Sequence, residues 1–144
     1  MGTKKGLDWD ALLAPYRRAV ERIRELATED PDMPGNFGPL EPADGHARIT
    51  GPCGDTMEIW IRVSEGRIAE ARYTTDGCWP SIASGSAAAR LAEGRTLEEA
   101  ARIKQANVLD ALGGLPPESQ HCALLASNTL RAAVADYEGN HDGP

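Results

Sequence analysis

Apolar residues recur at three- and four-residue steps near the start of the chain, where Trp9, Leu12, Leu13, Tyr16, Val20, Ile23 and Leu26 are separated by Arg and Glu. That spacing predicts an amphipathic helix over 8–27, capped by Asp8 and packing on its own domain. The period is lost over 28–47, TEDPDMPGNFGPLEPADGHA, where four prolines and three glycines predict a loop. Strict alternation follows. Over 56–63, Met57, Ile59, Ile61 and Val63 interleave with Glu58, Trp60 and Arg62, the period-two pattern of a half-buried strand. An SEGR turn leads to a returning strand over 67–75, and a shorter strand over 46–50 joins the first through the bend Gly51-Pro52-Cys53-Gly54-Asp55. The three make an antiparallel meander.

After Gly77 the period lengthens. Residues 80–93 are rich in Ala and Ser, with Ile82, Ala89 and Leu91, and Gly94 ends the predicted helix. Thr96-Leu97-Glu98-Glu99 has the form of a capping box opening a short helix. Another short helix fits 104–112 and stops at Gly113-Gly114. Pro116-Pro117 launches a last helix over 117–137, with Cys122, Leu125, Thr129, Ala133 and Tyr137 near one stripe. Strands first and helices after predict an α+β domain, a three-stranded antiparallel sheet packed against four to five helices. The organisation is an N-terminal helix within 1–30, a domain over 31–138 and a frayed tail over 139–144.

Composition narrows what such a domain does. With 144 residues the chain is long enough for one core without disulfide staples, and aromatics at 5% leave that core to Ala, Leu, Ile and Val. A net charge of −7 argues against nucleic acid or an anionic membrane as partner. No run approaches the roughly 18 apolar residues of a membrane span. The start, MGTKKGLDWD, lacks the apolar stretch of a signal peptide, so a cytoplasmic location is expected.

Three cysteines are an odd set for a disulfide framework and fit free thiols, metal ligands or reactive groups better. Each falls at an element end: Cys53 in the first bend, Cys78 where the third strand gives way to a helix, Cys122 near the start of the last helix. Core cysteines belong in the middle of an apolar face, so neither Cys122 nor His121 beside it is expected in the core. A thiol near a helix N-terminus is favoured as thiolate, which applies to Cys78 and Cys122. Gly54 and Gly77 leave backbone room next to Cys53 and Cys78. Asp55 and His121 add an oxygen and an imidazole, and the set suits zinc or an iron–sulfur centre. Spacing alone does not bring the three loops together. His46 and His141 read as solvated loop residues.

At these residues the chain resembles the NifU/IscU family of iron–sulfur cluster assembly scaffolds, over about residues 34–137. PGNFGPL is similar to the family's Asn-Pro-Arg-Asn-x-Gly segment, with Met33 and Gly35 in place of the first Asn and the Arg. GPCGDTMEIWI resembles the segment of the first Cys. DGCWPSIASGSAAARLAEGRTLEEA resembles that of the second, and LGGLPPESQHCALLASNTLRAAVADY the third-Cys helix. The resemblance implies an IscU/NifU-type fold and a scaffold, not a turnover enzyme, on which a transient [2Fe–2S] cluster is built. Cys53, Cys78 and Cys122 would be its ligands, His121 and Asp55 candidates for the fourth position, and Cys122 the acceptor of persulfide sulfur. The same ligands would suit zinc when iron is absent. Implied partners are a cysteine desulfurase and acceptor apo-proteins or carriers, and a homodimer is compatible with the family.

The departures are specific. The family's chaperone segment, Leu-Pro-Pro-Val-Lys, is here Leu115-Pro116-Pro117-Glu118-Ser119, and an acid near the place of a cation argues against docking of an Hsp70-type chaperone. Trp79-Pro80 replaces a common Gly-Ser, and the usual His-Tyr before the Asn-Pro segment is missing. A zinc-dependent, SufU-like sulfur acceptor is the alternative. The short gap between second and third Cys and the presence of His121 favour the IscU/NifU branch. Two further readings are a cysteine enzyme, with Cys78 or Cys122 as nucleophile and His121 as base, and a structural zinc domain. Adjacent helical residues point about 100° apart, so His121 is expected to aim away from the Cys122 sulfur.

Overall fold

A computed structural model describes residues 14–26 and 34–141. Its three strands are β1 (Gly45–Thr50), β2 (Thr56–Ser64) and β3 (Arg67–Thr75), antiparallel in the order β1-β2-β3. The alternation read from the sequence sets the pairing. Ala47 faces Ile59 across β1–β2, and Ile59 and Ile61 face Tyr73 and Ala71 across β2–β3. One face therefore carries the fully buried Met57, Ile59, Ile61, Ala71 and Tyr73. A register shift between Arg62 and Val63 ends the strict alternation, which leaves Val63 only half-buried.

Five α-helices are seen among the described residues: α1 (Arg17–Leu26), α2 (Trp79–Ala92), α3 (Leu97–Ala100), α4 (Gln105–Leu112) and α5 (Gln120–His141). The result is the α+β arrangement that the pattern predicts. Helix α2 lies centrally, against β3, α5, α4 and α1. Its run of Ala, Ser and Gly is buried on almost every side, from Pro80 to Ala89. Small side chains let neighbours come close: a methyl at Gly85 would enter the ring of Tyr73. Helix α5 crosses β1 and β2 so tightly that a Cβ on Gly45 would lie 2.6 Å from the Ala133 carbonyl oxygen.

Several boundaries shift for physical reasons. The proposed helix start at Asp8 lies outside the described residues, and α1 follows a single 3-10 turn, Ala14–Tyr16. Ala19 is buried, and Tyr16 Oη lies 3.1 Å from Ser119 Oγ. The last helix does not begin at Pro117: a 3-10 turn over Pro117–Ser119 precedes it, closed by the Ser119 N–H on the Pro116 carbonyl at 2.8 Å. The helix runs to His141, because it is still packed on β1 at Tyr137, one turn earlier. His46 is a β1 residue rather than a loop residue, with Nε2 2.8 Å from Glu58 Oε2 and its ring stacked on Trp60. The side chain of His141 lies outside the description.

The loop before β1 is not formless. Phe37 forms a parallel bridge to Tyr73, with the Gly38 N–H donating to the Tyr73 carbonyl at 2.7 Å. The buried Asn36 clasps α2 twice, its Nδ2 donating to the Ser86 carbonyl and its Oδ1 accepting from Ser86 Oγ. Among the described residues no helix is long and apolar enough to cross a membrane.

Candidate metal centre

Three element ends build the site. The first is the β1–β2 turn, closed by the Gly51 N–H on the Asp55 carbonyl (2.8 Å) and the Gly54 N–H on the Gly51 carbonyl (3.0 Å). Gly54 has φ +96°, a left-handed conformation that favours glycine, and this kink leaves Cys53 exposed at the tip. The second is the N-terminus of α2, where Cys78 is the N-cap in extended conformation with no side-chain cap of its own. The Ser81 and Ile82 N–H groups both donate to the Cys78 carbonyl, which fixes the turn, and the Cys78 thiol stays exposed. The third is the first turn of α5, which carries His121 and Cys122.

A serine links them. Ser81 is completely buried, and its hydroxyl lies 3.0 Å from Asp55 Oδ2 and 3.4 Å from Cys122 Sγ. The β1–β2 turn, the start of α2 and the start of α5 thus meet at one oxygen. Gly77 makes room for that meeting. A Cβ there would stand 2.5 Å from Ser81 Oγ and 2.7 Å from Asp55 Oδ2, closer than real Cβ atoms come to anything. The room beside Gly77 is therefore filled by Asp55 and Ser81, whereas that beside Gly54 is open.

Two expectations for Cys122 are overturned. It is 3% exposed, a core residue, because it belongs to the buried stripe that continues through Ala126, Thr129 and Ala133. Its thiol pKa is raised, not lowered: burial pushes it up, the Ser81 hydroxyl, able to donate to a thiolate, works the other way, and the nearby Asp55, Cys53 and Cys78 raise it further. His121 also departs from expectation. It is exposed, yet Nε2 comes within 3.7 Å of Cys122 Sγ, a long contact that the large sulfur and a swung imidazole allow.

The five predicted site residues thus divide. Asp55 and Cys122 both lie against Ser81, His121 lies beside Cys122, Cys53 and Cys78 act on Cys122 electrostatically, and both are exposed. Among the described residues no three His, Cys, Asp or Glu side chains are gathered around one point as they stand. The donor chemistry of the five, soft sulfur and imidazole with one carboxylate, suits iron–sulfur or zinc. Trp79, beside Cys78, is half-buried, and its Nε1 is enclosed without a hydrogen-bond partner. Ser81 was missed from sequence, although it lies three residues after Cys78 and so faces back over the start of the helix.

Known proteins resemble this chain in sequence, and one solved structure resembles it in fold. Iron-sulfur cluster assembly scaffold protein IscU 1 of Archaeoglobus fulgidus is 45% identical over 105 residues, 72% of this chain and 69% of that one. The protein of the same description, IscU, from Azotobacter vinelandii is 41% identical over 112 residues, 76% of this chain and 87% of its own. The crystal structure of a nitrogen-fixing NifU-like protein (N-terminal) from Brucella abortus superposes with a TM-score of 0.58 at 21% identity, covering 85% of this chain and 97% of that one. That last likeness speaks for the fold alone. Residues 25–142 match the NifU-like N terminal domain, and the chain belongs to that family.

Proposed function

We propose that this chain is a scaffold on which an iron–sulfur cluster is assembled and from which it is passed on. The observation that carries the reading is the meeting of three cysteine-bearing element ends at Ser81, whose hydroxyl lies 3.0 Å from Asp55 Oδ2 and 3.4 Å from Cys122 Sγ. Cys53, Cys78 and Cys122 are the proposed ligands of a [2Fe–2S] cluster, with Asp55 or His121 completing the set. Three thiolates and one exchangeable oxygen or nitrogen suit cargo that has to leave, more than four thiolates would. Zinc fits the same donors in the cluster-free protein.

Sulfur would come from a cysteine desulfurase. Cys122 takes the terminal sulfur of the donor's persulfide: a new S–S bond forms at Cys122, the donor's S–S bond breaks, and the thiol proton of Cys122 ends on the departing donor thiolate. Because Cys122 is buried, the donor has to uncover it, and the persulfide is sheltered from water afterwards. The protein is then consumed and restored by partners, a desulfurase before and an acceptor apo-protein or carrier after, and does not itself turn over a substrate. In the place of the family's chaperone segment, Glu118 is exposed and Ser119 is buried against Tyr16, which speaks against an Hsp70-type partner there.

Anaerobic reconstitution with iron, cysteine and a desulfurase tests the reading. The expected result is [2Fe–2S] absorption with two irons per cluster, lost in Cys53→Ala, Cys78→Ala and Cys122→Ala alike. A protein that takes up only zinc and accepts sulfur in that state would replace the scaffold with the SufU-like sulfur acceptor.

A further inference from the structure

The Ser81 hydroxyl is within reach of two acceptors but has one hydrogen to give. A carboxylate is the stronger acceptor, so in the metal-free protein that hydrogen belongs to Asp55 Oδ2. The Cys122 S–H then donates to Ser81 Oγ, and the three groups form a chain from thiol to hydroxyl to carboxylate. The chain is built into the fold, not draped on it. Ser81 is wholly buried, it sits in the first turn of α2, and Gly77 is shaped around it.

Metal breaks the chain at one end. When the Cys122 sulfur binds a metal ion, its proton leaves to solvent, and the sulfur becomes an acceptor only. Ser81 Oγ has then lost its donor, and its own hydrogen faces an electron-rich sulfur 3.4 Å away. We propose that Ser81 is a positioning residue for the cargo: its hydroxyl swings from Asp55 to the metal-bound Cys122 sulfur, which frees the Asp55 carboxylate as loading proceeds. This rests on the scaffold reading for the identity of the cargo, but not for the hydrogen-bond chain itself. Two consequences follow for the loaded state. A hydrogen bond to a ligating sulfur draws charge from it, loosens the metal–sulfur bond and makes the cluster easier to reduce. The freed carboxylate becomes an oxygen that binds and leaves easily. Ser81 thereby ties the arrival of the third thiolate to the availability of the exchangeable ligand.

Ser81→Ala and Ser81→Thr test this, alanine removing the hydroxyl and threonine keeping it. In the metal-free protein the infrared S–H stretch of Cys122, assigned by its loss in Cys122→Ala, is expected at higher frequency in Ser81→Ala and near its original place in Ser81→Thr. In the reconstituted protein Ser81→Ala is expected to bind the same iron per chain but with a more negative reduction potential, and Ser81→Thr to restore the potential. An unmoved S–H band, or an unmoved potential at equal iron content, overturns the proposal. If the wild-type protein assembles no cluster, the scaffold reading fails on its own. Cobalt(II) then serves as probe: its sulfur-to-metal charge-transfer band shifts in Ser81→Ala if the proposal holds. An unshifted band, or no cobalt–sulfur band in the wild-type protein, sinks it.

Discussion

Helices α2 and α3 start in the same way on the backbone and differ in everything the side chains do. Both N-caps are extended, Cys78 at φ −83° and Thr96 at φ −68°. Thr96 accepts from the Glu99 N–H at 3.1 Å, and Glu99 answers by accepting from the Thr96 N–H at 3.0 Å. That helix start is closed by its own residues. At α2 the capping position holds a thiol that caps nothing, and the first turn turns its serine away toward Asp55 and Cys122. A Ser, Asp or Thr at 78 would be the stabilising choice. The chain forgoes it where three element ends meet, and caps fully where no candidate ligand lies. A helix start left open, in a protein that closes another well, fits the proposed role of Cys78 as a ligand.

Converting the open start into a closed one should show the largest effect. Cys78→Ser supplies a capping oxygen, so the midpoint of chemical denaturation is expected to rise, by up to about 1 kcal/mol in stability. Iron retained after reconstitution is expected to fall to background. A variant that keeps its cluster would end the comparison. Gly77→Ala should come next, since its Cβ collides with Ser81 and Asp55 together. Overpacking of this kind costs about 1–3 kcal/mol, read by denaturation, together with weakened zinc affinity by competition with a chelator.

On the closed side, Thr96→Ala should cost about 1 kcal/mol and leave metal uptake untouched, which separates a structural start from a binding one. The smallest effect concerns acid. The hydrogen bond from the Thr96 N–H holds the Glu99 carboxyl below its usual pKa. A depressed carboxyl adds stability above its unfolded pKa and loses it as pH falls through the folded one, so this contribution is whole at neutral pH and fades in acid. Glu99→Gln, which still accepts the bond, should flatten that acid limb of stability measured against pH. An unchanged slope would mean the closed start owes nothing to charge.

The closed start was legible and the open one only in part. Thr96 to Glu99 is a local signal, complete within four residues, and the β2 alternation is another. Ser81 sits among Ser84, Ser86 and many alanines, and nothing in a string of small residues says which hydroxyl meets a thiol from 41 positions away. Cys122 could have been placed better. It lies on the stripe of Leu125, Thr129 and Ala133, and that stripe was a truer guide to its burial than its nearness to a helix end. Its raised thiol pKa follows from burial first of all.

Gly85 sets a limit on what α2 tolerates. The ring of Tyr73 rests where a side chain on Gly85 would be, so α2 has a mechanical stop against the sheet. Ser81 is one helical turn from that stop, and a helix moves as a rod over so short a span. Any residue larger than glycine at 85 would shift the hydroxyl by the width of the intrusion and carry Cys78 with it. The spacing of the candidate site is thus gauged from outside it, by an aromatic ring on β3.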